Sequence, residues 1–513
     1  MSESSRSKVL VLGQLPVDPV PFVERGLTLE IVQLEGLCDR LFNDARGLIL
    51  AEFPGKYRLA SEFFAGPFRR SCELGLVTTI YSQVPADSHQ IIRLRNMAYL
   101  AIDPKQPAPA FAWAEVGEKL PSIAEKFARH QAGPQLGEVK IEPLDPLFKL
   151  EPATEALLKR AFWDCDKIVV EQLPGGKTAK ETLRIFASVA GPEHGPQPMP
   201  FFVKISTPGS IEAEKDHYRR RAEPFIPFYL RPSLNAGRCV TAFSSAALVC
   251  NFVESAVPLR TAWRSMQGAG TIFSLFEVTL RGLRGHTARA PKQPGVLKAF
   301  LKERVRAEQI RAEPLGLARI ASAKELGLTQ EPEALERILV ARAETIQSRR
   351  GTYHGDLHFG NVMVRNRDAI VIDFGSMHDF GPITADPAFL EVSLVFGTDD
   401  KDDPSGFAGW KDFVDELFIK TLPLSPPIHD AEHFRFAWLR KAVRELRHIG
   451  SCCDIERDEA LIVLAGCLLR YCRLSILEFA SPELVKLSED RRAYALVVAA
   501  DICSKLNGAD AKG

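Results

Sequence analysis

Long apolar runs are missing from this chain of 513 residues. No window approaches the roughly 20 apolar residues a membrane helix needs, because even Ala460–Cys472 is interrupted by Gly466 and Arg470. The apolar stretch Val9–Leu12, behind the polar Met1-Ser2-Glu3-Ser4-Ser5-Arg6-Ser7, is too short for a signal-peptide core, which argues against export by that route. A membrane partner is not expected. Charge of one sign is missing as well: 65 Lys and Arg against 65 Asp and Glu leave no global field to gather nucleic acid or anionic lipid. Cysteine is sparse, ten residues in all, without a paired C-x-x-C pattern. Adjacent Cys452 and Cys453 cannot easily take two corners of a tetrahedral metal site, so reduced thiols in a cytoplasm are the simplest reading. What is present is a globular composition, 46% hydrophobic and 25% charged, in a length that favours two to four domains.

The first 110 or so residues alternate short β-like runs (Lys8–Gly13, Leu29–Leu34, Gly47–Ala51, Leu76–Tyr81, Tyr99–Ile102) with helix-compatible segments, the pattern of a parallel sheet covered on both faces. This predicts a flavodoxin-like α/β module over residues 1–135, closed by a helix from Trp113 to His130 and a turn-rich linker, Gln131–Gly137. In size and order it resembles the receiver domain of response regulators, with Lys105 after the last strand. The acidic residues of a receiver are absent: the first strand leads into Gly13-Gln14-Leu15-Pro16, and the third ends with Glu52 and no Asp. The expectation is a pseudo-receiver that docks a protein partner. Beyond the linker, Lys167–Val170, Thr182–Val189 and Phe201–Ile205 read as strands, whereas most of 260–350 and 405–510 carries helical spacing. The Arg-rich stretch Lys302–Arg350 is interleaved with glutamates and reads as a solvated helical face rather than a nucleic-acid surface.

The most informative segment is Tyr353-His354-Gly355-Asp356-Leu357-His358-Phe359-Gly360-Asn361-Val362-Met363-Val364, followed by Ala369-Ile370-Val371-Ile372-Asp373-Phe374-Gly375-Ser376. Phosphoryl transfer from ATP needs a carboxylate to orient the attacking hydroxyl and accept its proton, and oxygen ligands to hold Mg²⁺ on the phosphates. Asp356, Asn361 and Asp373 supply such groups, and a hairpin around Arg365–Asp368 would return Asp373 to the loop that carries the other two.

This H-G-D-x-x-x-x-N pattern with a following I-D-F-G resembles the catalytic and metal-binding loops of the protein-kinase-like superfamily, most closely the aminoglycoside phosphotransferase and choline kinase branch. The resemblance implies an α+β bilobal protein-kinase-like fold, with an N-terminal lobe over 145–255 and a mainly helical C-terminal lobe over 256–513. It also implies Asp356 as catalytic base, Asn361 and Asp373 as Mg²⁺ ligands, and His354 as the brace of the catalytic loop. Protein Ser/Thr kinases usually carry Lys two residues after the catalytic Asp; His358 stands there, and no Ala-Pro-Glu element follows Gly375. The continuation Thr384-Ala385-Asp386-Pro387 is similar to the antibiotic-kinase branch, where Asp386 would brace the catalytic loop; an ordinary helix N-cap reads equally well. The pairing with a receiver-like module also resembles bacterial signalling proteins with ternary-complex-associated kinase-like domains.

Upstream, Lys204 in Pro200–Ile205 is the candidate for contacting the nucleotide α- and β-phosphates, with Glu214, or else Glu212, as its carboxylate partner. Gly175 and Gly176 are the candidate nucleotide loop, where adjacent glycines let the backbone approach phosphates. Gly176-Lys177-Thr178 mimics the end of a Walker A loop, but Glu171 stands where that loop needs glycine, so a P-loop is excluded. Val249–Glu254 is the expected hinge. Together these residues predict an ATP- and Mg²⁺-dependent phosphotransferase acting on a hydroxyl of a small molecule, with a protein kinase or a catalytically silent nucleotide-binding scaffold as alternatives. The acidic run Asp399-Asp400-Lys401-Asp402-Asp403 is either a surface for a cationic acceptor or a solvated loop.

Overall fold

The computed structural model describes residues 8–13, 17–35, 37, 45–51, 63–68, 71, 76–82, 112–115, 120–129, 139–173, 180–190, 195–241, 245–265, 267–420, 436–451, 456–474 and 481–508. The chain forms two compact units, Met1–Lys215 with Ser233–Phe252, and Asp216–Pro232 with Val253–Gly513. Among the described residues no helix is long and apolar enough to cross a membrane.

The first unit opens with five parallel strands, β1 (Lys8–Gly13), β2 (Thr28–Val32), β3 (Ala45–Ala51), β4 (Val77–Ser82) and β5 (Ala112–Glu115), in the order β2-β1-β3-β4-β5. Continuous burial of Val9 to Val11 and of Leu48 to Ala51 is what a parallel strand covered on both faces requires. The fifth strand lies where a helix from Trp113 is expected, and the helix begins only at Leu120, running to Arg129. Pro121 fits this late start, since a residue without an N–H and with a fixed φ is tolerated only in the first helical turn. Ile123, Ala124 and Phe127 of this helix close the core over Val9, Val11 and Ile49. The run Tyr99–Ile102, the linker from Gln131 to Gly137, Gln14 to Pro16, Glu52 and Lys105 lie outside the described residues.

The same unit carries a second sheet of β6 (Lys140–Pro143), β7 (Cys165–Gln172), β8 (Glu181–Val189), β9 (Phe201–Ser206), β10 (Val240–Thr241) and β11 (Ala246–Asn251), ordered β10-β11-β9-β8-β7-β6. All its pairs are antiparallel except β6 with β7, which the helix Pro152–Ala161 connects. Strand alternation decides what faces where: Val203 and Ile205 join the core, and Lys204 points to the opposite face of β9.

In the second unit β12 (Val257–Pro258), β15 (Val362–Arg365) and β16 (Asp368–Val371) form one small sheet. Another contains β13 (Lys292–Pro294), β14 (Gln347–Tyr353) and β17 (His378–Pro382). Positive φ at Asn366 and Arg367 closes β15 and β16 through a two-residue turn whose twist suits a hairpin. Every residue of the helix Ala385–Phe396 is buried, and the helices Ala437–Ser451, Arg457–Cys472 and Pro482–Gly508 pack on it. The Arg-rich stretch is not uniformly solvated: Arg319 is buried and paired with Glu489 at 2.6 Å, whereas Arg311 stays outside with Glu331 and Glu333. Cys452 and Cys453 lie outside the described residues.

Glu391 of the buried helix is held by Arg447, whose Nη2 donates to Oε1 at 2.8 Å with both side chains under 10% exposed. Removing one partner of such a pair leaves the other charge buried, so Arg447→Met should cost about 3–5 kcal/mol in urea unfolding. The double variant Arg447→Met/Glu391→Leu should recover most of that loss, and a midpoint unchanged by the single substitution would show that the pair does not hold the helix.

Candidate active site

His354 to Asn361 form a loop between β14 and β15, and three side chains fix its course. Asp386, in the first turn of the helix Ala385–Phe396, receives the backbone N–H of His354 at 2.8 Å and of Gly355 at 3.1 Å. It is therefore a brace; the N-cap position belongs to Thr384. Burial raises the Asp386 carboxyl above its ordinary range, against the opposing pull of His354 and the two N–H donors. Ser393, seven residues further along the same helix, receives the Phe359 N–H at 3.1 Å. One helix face thus holds the loop near both ends.

His354 itself is fully buried. Its Nδ1 accepts the Asp356 N–H at 3.4 Å and its Nε2 faces the Ile372 carbonyl at 3.1 Å, which assigns the ring hydrogen to Nε2. The ring therefore ties the loop of Asp356 to the strand end that precedes Asp373. Ile372 N–H adds a second tie by donating to the Asn361 carbonyl at 3.0 Å. Gly355 is required by space as well as by backbone: its φ is +79°, and a Cβ would come within 2.2 Å of the Ser376 carbonyl oxygen.

The structure thus brings Asp356, Asn361 and Asp373 onto two mutually tied loops, as the spacing predicts. Asn361 donates through Nδ2 to the Asp356 carbonyl at 2.9 Å, which orients its amide and makes Oδ1 the atom that could face a metal. Asp373 adopts φ 60°, and its Oδ1 receives the Gly375 N–H at 3.4 Å. Two hard oxygen ligands suit Mg²⁺, which usually takes one or two protein groups and completes its shell with phosphates and water. They do not amount to a self-sufficient cage, and among the described residues no group of three or more His, Cys, Asp and Glu is disposed to hold a metal. Phe374 is buried against Tyr218, and the Gly375 carbonyl lies 3.0 Å from His217 Nδ1.

Sequence reasoning missed Arg470. From the helix Arg457–Cys472 its Nη2 donates to Asp356 Oδ1 at 2.8 Å, while its guanidinium lies 4.7 Å from the centroid of Phe389. Burial alone would push the Asp356 carboxyl up; Arg470, with smaller help from His358, outweighs it and holds the carboxyl below the ordinary range. His358 Nε2 is 3.9 Å from Asp356 Oδ2, and desolvation lowers its imidazole despite that carboxylate. The fixed cation beside Asp356 is thus an arginine from a distant helix rather than the residue at position 358.

In the first unit Lys204 Nζ donates to Glu214 Oε2 at 2.9 Å, with the side chains 7% and 6% exposed. Glu212 pairs with Lys215 on the outer face of the same helix, Pro208–His217. Gly175 and Gly176 lie outside the described residues. The expected hinge, Val249–Glu254, spans the division between the units at Phe252 and Val253. The acidic run is divided: Asp399 and Asp402 are paired with Arg260, Arg264 and Arg491, whereas Asp400 and Lys401 are exposed.

The profile of the family described as ternary complex associated domain 9 matches residues 278–498, which include the whole Asp356 loop. No curated protein matches the chain. Among solved structures, a microcompartment-associated aminopropanol kinase is similar at 15% identity and a TM-score of 0.37, covering 69% of this chain and 96% of its own. A thermostable mutant of aminoglycoside phosphotransferase APH(4)-Ia shows 14% identity and a TM-score of 0.36, with 66% and 94% covered. Aminoglycoside phosphotransferase APH(3'')-Id from Streptomyces rimosus shows 16% and 0.30, with 57% and 97% covered.

Because the folded pKa of Asp356 is depressed, its ion pair stabilises the protein above the unfolded value of about 3.9 and is lost as pH falls through the folded one. Arg470→Met should raise the Asp356 carboxyl, since burial then acts without its main counter-charge. Side-chain carboxyl NMR titration reads this directly, and an unmoved titration would show that Arg470 does not set the Asp356 charge.

Proposed function

We propose that residues 145–513 form a protein-kinase-like phosphotransferase that moves the γ-phosphoryl group of ATP to a hydroxyl of a small molecule. The observation that carries this reading is the tying of the Asp356–Asn361 loop to the Asp373 loop through His354 and Ile372. Asp356 is the base that orients the acceptor hydroxyl and takes its proton; its depressed pKa keeps it ionised at neutral pH. Asn361 Oδ1 and the Asp373 carboxylate are the groups that would hold Mg²⁺, which when bound neutralises charge on the phosphates. Lys204, positioned by Glu214, is the cation for the α- and β-phosphates. Because phosphoryl transfer asks mainly for placement and charge, the buried ties around the loop matter as much as the reacting groups.

A second reading, a catalytically silent nucleotide-binding scaffold, is favoured by one contact, the Arg470 guanidinium on the base. Residues 1–135 are proposed as a receiver-like docking module for a protein partner, in keeping with the parallel order of its five strands.

Melting of the full chain with ATP and Mg²⁺ tests the nucleotide site. Ligand at about 100 times its dissociation constant should stabilise wild type by about 2.7 kcal/mol, with a smaller shift in Lys204→Met and Asp373→Asn. No shift at millimolar ATP would overturn both readings. Turnover across a panel of hydroxyl-bearing small molecules, absent in Asp356→Asn, separates the enzyme from the scaffold.

A further inference from the structure

Apart from the proposed phosphotransfer site, the second unit contains a cavity of about 260 Å³ whose walls include Arg260, Arg264, Asp402, Trp410, Trp438 and Arg491. Its arginines come from two helices far apart in sequence, Leu259–Arg264 and Pro482–Gly508. Arg260 and Arg491 both donate to the Gly397 carbonyl, at 2.6 and 2.8 Å. Their carboxylate partners are few. Arg264 reaches Asp399 and Asp402 at 2.5 Å each, Arg260 reaches Asp402 at 3.1 Å and Asp399 at 3.5 Å, and Arg491 reaches Asp402 at 3.2 Å.

Three guanidinium groups therefore share two carboxylates, and Lys401 and Asp403, which also line the space, add one charge of each sign. The cluster keeps one positive charge in excess although Arg260 is 2% and Arg491 3% exposed. A desolvated charge without its counter-charge is costly. The cost shows in Arg260, where burial outweighs both aspartates and pushes the guanidinium down to about 10. Donors are left over too: the buried Nε of Arg491 has no hydrogen-bond partner, and that of Arg260 has no hydrogen bond, only the 3.5 Å ion-pair contact with Asp399. The remaining wall is apolar and aromatic, with Trp410, Trp438 and Leu439.

We propose that this cavity is a binding site for a small-molecule anion, a carboxylate or phosphate carried on a compact apolar body. The anion completes the charge balance of the arginine cluster, and the apolar body lies against the tryptophan wall. The volume falls below the roughly 300–1,000 Å³ of sites for drug-sized ligands, so the occupant is small. The inference does not rest on phosphotransfer.

Calorimetric titration of the full chain with benzoate, phenyl phosphate and benzylamine, followed in parallel by tryptophan fluorescence, tests it. At least one of the two anions should bind saturably and the cation should not, and the order of the anions distinguishes a carboxylate ligand from a phosphate. Arg264, with 20% of its side chain exposed, is the replaceable member of the cluster. Arg264→Gln should weaken anion binding by about tenfold or more, as expected for loss of a charged hydrogen-bond partner. Arg264→Lys, which keeps the charge, should restore most of it, separating a ligand contact from a folding defect. Failure of both anions to bind up to about 10 mM, weaker than a millimolar site, equal binding of benzylamine, or unchanged affinity in Arg264→Gln would each overturn the proposal.

Discussion

The buried carboxylate of Asp386 is the point from which the candidate site is hung. It accepts two consecutive backbone N–H groups, those of His354 and Gly355, which would otherwise be unsatisfied in an interior that excludes water. Its own helix, Ala385–Phe396, has no exposed residue and so cannot shift without disturbing the packing around it. The spacing along that helix extends the constraint: Asp386, Phe389 and Ser393 meet the start of the loop, the arginine on Asp356 and the Phe359 amide in turn. Side chains three, four and seven residues apart share a helix face, so one rigid element sets three contacts at once.

Arginine does in this chain what shorter cations or solvent do elsewhere. Arg470 fixes the charge on Asp356, Arg447 anchors Glu391, Arg319 joins Glu489, and Arg304 reaches the Ser376 carbonyl behind the Asp373 loop. A planar fork with several donors serves two acceptors at once, which suits joints where helices meet a loop. The neutral total of 65 cations and 65 anions conceals this arrangement, since the count says nothing about which charges are interior.

The site was readable in the sequence where its chemistry is contiguous. Asp356, Asn361 and Asp373 lie within 18 residues, in the loops that flank two short β runs, and the hairpin between them follows from local patterning. Lys204 and Glu214 were readable for the same reason, a strand and the helix next to it. Arg470 was not, because it approaches Asp356 from 114 residues away and nothing in its own helix marks it among neighbouring arginines. The charge run at Asp399–Asp403 failed similarly: sequence displays the acids but not the three arginines that fold onto them. In the first sheet, short apolar runs such as Ala112–Glu115 carry too few residues for strand and helix periods to be told apart.

The hairpin between Asn361 and Asp373 has a kinetic meaning as well. Its turn needs only Asn366 and Arg367, and its pairing needs no distant segment. Isolated hairpins close in about 1–10 μs, so the spacing between Asn361 and Asp373 depends on a local event. The ion pair of Asp356 with Arg470 must instead wait for a loop of more than a hundred residues to close, with its larger entropic toll. The candidate site therefore joins a local juxtaposition, Asn361 with Asp373 across one hairpin, to a long-range one, Asp356 with Arg470, that needs the helical unit to be folded.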